Sequence, residues 1–275
     1  MIEKDDGPIS RSITVGHPRA RTRARVAATL ALAAIVVLVS VTSFFAFRSE
    51  RAGERSFWLL ASAPVVGVVP VALVFAAKKK VLGEWMRPKA GDFTVGFLGA
   101  AILFAGAYAF SKVVTPNGSP RAIWLARLYL QLGDPNVLRA HPTFLLTGLI
   151  AVSAAEEIVW RGLVPSLIEE ALAGRRRNGA VSAFTDRRRA DEDAPALRWG
   201  WLASAGLYAL AYVPAMWSLA VPNGPNPVLP LAALGAGVAW GWMAWRFNRL
   251  APGIVSHVLF DWCVVVIFRL WGESL

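Results

Sequence analysis

Seven apolar stretches, each long enough to cross a bilayer, restrict the fold of this chain more than any other feature. They lie at residues 26–47, 57–77, 94–114, 143–173, 199–220, 227–245 and 254–271. A transmembrane helix needs about 20 largely apolar residues. Since no strand-rich region and no internal repeat accompany them, the sequence predicts an all-α, polytopic transmembrane helical bundle of about seven spans.

Composition supports a membrane protein. Hydrophobic residues make up 56% of the 275 residues, whereas a soluble domain averages roughly 45–50%. The net charge of +11 does not predict nucleic-acid binding, because the basic residues lie between the apolar stretches and not on one amphipathic face. The single cysteine, Cys263, excludes an intramolecular disulfide and a Cys-rich metal site.

The distribution of Lys and Arg predicts the orientation. With the N-terminus inside, most of the 29 basic residues fall in the inner tail and loops, as the positive-inside rule requires. The sequence therefore predicts an N-in protein of the bacterial cytoplasmic membrane. Residues 1–25 are predicted to be a disordered basic cytoplasmic tail. Residues 26–142 are predicted to hold three spans and an interfacial amphipathic helix at 123–132, and residues 143–275 to hold four spans.

Ionisable residues interrupt the fourth and seventh stretches, while the first three contain almost none. The fourth carries Glu156, Glu157 and Arg161, and the seventh carries His257 and Asp261. A charge at the centre of a membrane helix costs roughly 2.5–3.5 kcal/mol on insertion scales, and such residues mostly face a protein interior or a wet cavity. Any chemistry is therefore predicted in the C-terminal half of the chain.

Helical spacing sorts these residues into pairs. Glu157 and Arg161 are four residues apart and share a helix face, and so do His257 and Asp261. Glu156 points about a quarter turn away from Glu157. Because polar faces in a bundle are stabilised when they meet, we expect one shared polar site between the fourth and seventh spans. One alternative is that the two pairs have a structural role alone and join helices. The spare carboxylate favours a function, because it provides a base beside a fixed electrostatic partner.

The order of these motifs resembles that of the CPBP intramembrane proteases, the bacterial relatives of the type II CaaX prenyl endopeptidase. Their first motif, Glu-Glu-x-x-x-Arg, matches Glu156, Glu157 and Arg161. Their last motif, His-x-x-x-Asn/Asp, matches His257 and Asp261. The resemblance implies an intramembrane glutamic-type endopeptidase. The resemblance covers roughly residues 143–271 and implies that residues 143–275 form the catalytic core.

The middle motif departs from the family pattern. Family members usually have an aromatic residue, three further residues and a histidine, whereas this chain has Tyr208 and Tyr212 at those two positions. A tyrosine hydroxyl can donate a hydrogen bond, so both tyrosines are expected to position substrate or water. The alternative for Tyr212 is an aromatic packing role in the bundle.

The resemblance also implies the role of each residue. Glu156 is expected to act as the general base on water, and Arg161 to hold Glu157. His257 is expected to donate a hydrogen bond to the developing oxyanion, with help from Asp261.

Three functions remain open on the sequence alone. The first is an endopeptidase that acts on a membrane-anchored protein or peptide arriving through the lipid bilayer. The second is a catalytically impaired relative of the same fold that binds a membrane peptide or acts as a scaffold. The third is a small transporter or proton relay, which the absence of repeated halves disfavours. No cofactor and no metal are expected, because zinc catalysis typically takes three protein ligands and the predicted spans contain one histidine.

Overall fold

The protein is helical throughout the part of the chain that the structure describes. The structure is a computed structural model that describes residues 18–172, 199–222 and 224–267. Over these ranges it has no β-strand, and only an isolated bridge joins Val221 and Gly224. The predicted all-α class is therefore confirmed. The α-helices are α1 (Pro18–Ala46), α2 (Arg55–Lys78), α3 (Leu82–Met86), α4 (Asp92–Val114), α5 (Ala122–Leu132), α6 (Pro135–Ala140), α7 (Pro142–Glu156), α8 (Val164–Leu172), α9 (Gly200–Tyr212), α10 (Ala215–Ser218), α11 (Val228–Phe247) and α12 (Ala251–Trp262).

Five helices of the described ranges are long and apolar enough to cross a membrane. They are Thr22–Ala46, Arg55–Lys78, Asp92–Val114, Pro142–Leu172 and Val228–Phe247. They coincide with the first four and the sixth of the predicted stretches. The fourth runs for 31 residues, because α7 and α8 are joined by a π-helical segment, Glu157–Leu163, without a break. The chain is an integral membrane protein.

The fifth predicted stretch forms a shorter helix than the sequence indicates. Helix α9 has 13 residues, about 20 Å at 1.5 Å per residue, and it ends just before Pro214. Proline lacks a backbone N–H, so Pro214 cannot donate the helical hydrogen bond to the Leu210 carbonyl. The predicted span breaks there into α9 and α10. Helix α12 continues into a π-helical segment, Cys263–Ile267, and the remainder of the seventh stretch lies outside the described residues.

The long fourth helix lies at the centre of the bundle. Helices α1 and α9 pack against α8, α2 packs against α7 and the π-helical segment, and α12 packs against α7. Around this helix, α9 pairs with α11 and α4 pairs with α12. The main apolar core follows from this arrangement and includes Trp85, Val159 and Leu163. Residues placed midway along the fourth helix are therefore enclosed by protein on several sides.

Two ion pairs join helices at one end of the bundle. Lys79 Nζ lies 3.5 Å from a Glu170 carboxyl oxygen, and Arg249 pairs with Asp92. At the same end, Arg25 donates a hydrogen bond to the Ala171 carbonyl near the end of α8. This is the end that the predicted N-in orientation places in the cytoplasm.

The structure describes part of the predicted tail and all of the predicted interfacial helix. Residues 1–17 lie outside the described ranges, and the rest of the predicted tail is helical because α1 begins at Pro18. The amphipathic helix expected at 123–132 is present as α5, which buries Leu125 and Tyr129. The first predicted boundary therefore falls inside a helix, while the short helix is found where its periodicity indicates.

Candidate functional site

The first polar motif lies where the long fourth helix changes its winding. Helix α7 ends at Glu156, and the residues Glu157–Leu163 form a π-helix before α8 continues. The Ser204 hydroxyl from α9 donates a hydrogen bond to the Trp160 carbonyl inside this segment. π-Helical turns are rare and occur frequently at functional sites. The spacing of apolar residues gave no sign of this turn.

The structure buries the side chains predicted for the site. The exposed fraction is 7% for Glu156, 0% for Glu157, 3% for Arg161 and 4% for His257. Asp261 is less enclosed, with 27% of its side chain exposed. Buried charges are costly unless they are paired and hydrogen-bonded, so the contacts among these groups decide how the site is held.

Glu157 lies between two nitrogen-bearing side chains. Its Oε1 atom is 3.4 Å from Arg161 Nη1 and 3.0 Å from His257 Nδ1. A Cβ atom added at Gly253 would lie 2.8 Å from Glu157 Oε2, so the glycine allows α12 to approach this carboxylate closely. The fourth helix and α12 therefore meet through Glu157.

Arg161 is held mainly by charge and by aromatic rings. Its guanidinium carbon lies 4.6 Å from the ring centre of Tyr208 and 5.2 Å from that of Trp240. Within the described residues, neither Nη atom has a hydrogen-bond partner. The ion pair with Glu157 and the electron-rich ring faces compensate the buried charge.

Glu156 accepts hydrogen bonds from both tyrosines of the middle motif. Tyr208 donates to Oε2 at 2.7 Å, and Tyr212 donates to Oε1 at 3.2 Å. The His257 Nε2 atom is 3.8 Å from Oε2. Tyr208 and Tyr212 also pack edge to face, with ring centres 5.3 Å apart. The two tyrosines thus contact the carboxylate that the sequence singles out as a base.

His257 faces carboxyl groups on both of its ring nitrogens. Nδ1 points to Glu157, while Nε2 is 3.4 Å from Asp261 Oδ2 and faces Glu156 at the longer distance given above. The same Asp261 oxygen accepts a hydrogen bond from Ser153 Oγ at 3.3 Å. Since a neutral imidazole has one N–H, this ring can donate on both sides only when it is doubly protonated.

Sequence reasoning missed three residues of the site. Ser153 binds Asp261, Trp240 stacks on His257, and Ser256 accepts the Trp240 indole N–H. Serine and tryptophan are unremarkable in membrane helices, so residue type alone gives no signal. Position gives a weak one for Ser153, which lies four residues before Glu157 and shares its helix face.

The side chains form one connected cluster of proton-binding groups. Within the described part of the chain, no group of three or more His, Cys, Asp or Glu side chains is arranged to hold a metal ion. A carboxylate beside an imidazole can take a proton from water and donate a hydrogen bond to a reacting oxygen. General acid–base chemistry is therefore within the capacity of the cluster.

A cleft extends from the cluster toward the end of the bundle that carries the two ion pairs. It lies between α8, α9 and α11, and its lining includes Trp160, Arg161 and Gly241. Near the end of the bundle it is lined by Trp201 and Trp245, whose rings stack with centres 6.1 Å apart.

The comparison with known protein families agrees with the motifs. A family model described as type II CAAX prenyl endopeptidase Rce1-like matches residues 139–263. No curated protein and no solved structure matches the chain. The matched segment contains helices α7 to α12 and the whole cluster described above. Over this segment the chain is similar to the CPBP and CAAX proteases, and the resemblance stated from the motifs is confirmed.

Proposed function

We propose that this chain, which resembles the CAAX proteases over residues 139–263, is an intramembrane endopeptidase that cuts a membrane-associated protein or peptide with water activated by Glu156. One observation carries the proposal. A carboxylate buried midway along the central helix is contacted by two phenol hydroxyls and faces the imidazole of His257. A packing role alone requires no such convergence of proton donors on one carboxylate.

The proposed reaction begins at Glu156. Both of its oxygens accept tyrosine hydrogen bonds, and the bond from Tyr212 is the longer one at 3.2 Å. We expect the reacting water to take the place of the Tyr212 hydroxyl at Oε1, because a base must lie within hydrogen-bond reach of the proton that it removes. The water oxygen then bonds to the scissile carbonyl carbon while its proton passes to Glu156. The same proton moves to the amide nitrogen as the C–N bond breaks.

His257 supplies the hydrogen-bond donor in this scheme. Its Nε2 atom faces Glu156, so a carbonyl attacked from Glu156 places its oxygen close to the imidazole. A donor preorganised toward the developing oxyanion contributes about 2.7–4 kcal/mol to lowering the barrier. Asp261 and Ser153 hold the Nε2 side of the ring through the contacts described above, so Asp261 serves as a positioning group.

Glu157 and Arg161 complete the proposed machinery without touching the reacting atoms. Glu157 accepts on the Nδ1 side of His257, and Arg161 compensates the charge of Glu157. Fixed charges of this kind act strongly in a water-excluded site and do not have to reorganise during the reaction.

The location of the site favours a substrate that is itself associated with the membrane. The cluster lies midway along a helix long enough to cross the bilayer, and the cleft beside Arg161 extends toward the end proposed to be cytoplasmic. In this proposal residues 143–275 form the catalytic core, and residues 26–142 form a variable region of three spans beside it. The tail at 1–25 lies on the cytoplasmic side of a bacterial membrane.

The test compares the termini of membrane proteins in the native host. Mass spectrometry is applied to strains that carry the wild type, Glu156→Gln or Glu170→Gln. Glu170 is a matched control, because it lies on the same long helix in a partly exposed ion pair with Lys79. We expect at least one terminus to disappear in Glu156→Gln alone. Identical termini in all three strains, with equal amounts of folded protein, would contradict the proposal.

A further inference from the structure

We propose that Trp240 is a positioning residue of this site, whose indole fixes the imidazole of His257 and the guanidinium of Arg161 beside Glu157. The kinetic consequence of this inference rests on the proposed function, whereas its structural consequence does not. Trp240 belongs to no motif of the chain, and it lies on α11, a different helix from the two that carry the charged residues of the site.

The contact between Trp240 and His257 is a close stack. The ring centres are 3.6 Å apart and the ring planes differ by 19°. Both side chains are buried, with 2% of Trp240 exposed. The hydrogen-bonding contacts of His257 all lie at the edge of its ring, through Nδ1 and Nε2. Edge contacts leave the ring free to tilt, and a parallel indole removes that freedom.

The same indole also contacts the second partner of Glu157. The guanidinium carbon of Arg161 lies 5.2 Å from the Trp240 ring centre. Aromatic faces attract cations, and the attraction is stronger at sites removed from water. One indole therefore sets the positions of both nitrogen-bearing groups that flank the fully buried carboxylate of Glu157.

The indole is itself immobilised by α12. Its Nε1–H donates to Ser256 Oγ at 3.1 Å, and its ring meets Phe260 edge to face at 6.0 Å. Ser256 is fully buried and is adjacent in sequence to His257, while Phe260 is three residues beyond it. Trp240 is thus bound to the helix turn that carries His257, and this connection separates a positioning role from simple filling of space.

The first test reads the imidazole of His257 directly. The chain has three histidines, His17, His141 and His257, so full-length protein with ¹⁵N-labelled histidine in lipid nanodiscs gives few ring-nitrogen signals, and His257→Gln assigns the relevant pair. We expect Trp240→Leu to displace and broaden the His257 signals and to leave the His141 signals in place. Trp240→Phe, which keeps a ring, is expected to displace them less.

Trp242 provides the matched control, because it lies on the same helix with 45% of its surface exposed. Trp242→Leu is expected to leave the His257 signals at their wild-type positions. Unchanged His257 signals in folded Trp240→Leu would overturn the inference. Should Trp240→Leu fail to fold, Ser256→Ala decides the matter, since it removes only the acceptor of the indole N–H. Displaced His257 signals in that variant support the inference, and unchanged signals overturn it.

The second test uses the terminus that depends on Glu156, once it is known. Because small misplacements of catalytic groups cost large factors in rate, we expect Trp240→Leu to lower kcat on the order of tenfold or more and to leave KM nearly unchanged. We also expect it to alter the pH profile of kcat, with Trp240→Phe restoring most of the rate. A wild-type kcat and pH profile in Trp240→Leu would overturn the inference. If no cleavage is found even in the wild type, the proposed function fails, and the ¹⁵N signals alone decide the role of Trp240.

Discussion

The first three long helices and the two long helices of the C-terminal half differ in how much of each helix the protein buries. In the apolar windows of α1, α2 and α4, 22%, 22% and 11% of the residues are buried in the protein, against 50% and 44% for the fourth long helix and α11. The more apolar helices are thus the less buried ones. Lipid is as apolar as a leucine side chain, so burial inside a membrane bundle depends on packing and polar contacts and not on hydrophobicity. High hydropathy in this chain indicates contact with lipid, and its local decrease indicates the protein interior.

The comparison is tested most strongly by removing a charge from each region. Arg161→Leu leaves Glu157 buried with His257 as its remaining partner, and breaking a buried pair costs about 3–5 kcal/mol. Arg48→Leu, at an exposed position just after the first helix, is expected to change stability by less than about 0.5 kcal/mol. The free energy of unfolding in mixed micelles measures both. Equal free energies of unfolding for the two variants would contradict the difference between the two groups of helices.

Apolar truncations give the next largest effect. Leu163 is 2% exposed in the π-helical segment, whereas Ile102 on α4 is 73% exposed in the protein without lipid. We expect Leu163→Ala to lose about 2–5 kcal/mol, because a cavity remains in the packed core. Ile102→Ala is expected to lose less than about 0.5 kcal/mol. A loss for Ile102→Ala as large as that for Leu163→Ala would mean that α4 is covered by more than lipid.

Removing one tyrosine hydroxyl in each region tests how much side-chain hydrogen bonds contribute to stability there. Tyr208→Phe deletes the shorter of the two bonds to Glu156, and a hydrogen bond to a charged group contributes about 1.5–3 kcal/mol. Tyr108→Phe, on a half-exposed position of α4, is expected to stay within about 0.5 kcal/mol of the wild type. The same unfolding measurement applies. A Tyr208→Phe variant as stable as the wild type would show that Glu156 does not depend on this donor.

Two glycines give the smallest effect and a difference in sign. A Cβ atom at Gly162 would lie 2.8 Å from the buried ring of Trp85, while one at Gly106 on α4 would meet nothing within 4 Å. Gly162→Ala is therefore expected to destabilise by about 1–3 kcal/mol through overpacking. Gly106→Ala is expected to stabilise by up to about 1 kcal/mol, since alanine favours a helix. Effects of the same sign would contradict the contrast between the two regions.

The sequence predicts the fold class and the charged members of the site for one reason. Ionisable side chains are rare in apolar segments, so Glu156, Arg161 and His257 are conspicuous, and spacing by four residues assigns their helix faces. The connections of the site follow from three-dimensional contacts and have no such signal. The π-helical turn after Glu156 leaves no mark on the apolar periodicity, and the residue that stacks on His257 is a tryptophan, a type common in any membrane helix.

The remaining differences between prediction and structure concern where the helices begin and end. Hydropathy counts apolar residues and does not register that Pro214 interrupts the fifth stretch, so the prediction gives α9 more residues than it has. Helix α1 shows the same limit at its start, since it already begins at Pro18, ahead of the apolar stretch at 26–47. Apolar periodicity locates a helix, whereas backbone chemistry and packing decide where it ends.

The most direct test of the account is cleavage by purified protein in proteoliposomes. The substrate is the membrane protein whose terminus depends on Glu156, and single-turnover rates are measured for the wild type, Glu156→Gln and Glu170→Gln. A positioned general base contributes about 10²–10⁴-fold to a rate, so we expect Glu156→Gln to slow cleavage by at least about 100-fold and Glu170→Gln to cleave at nearly the wild-type rate. Cleavage at the wild-type rate by folded Glu156→Gln would contradict the account.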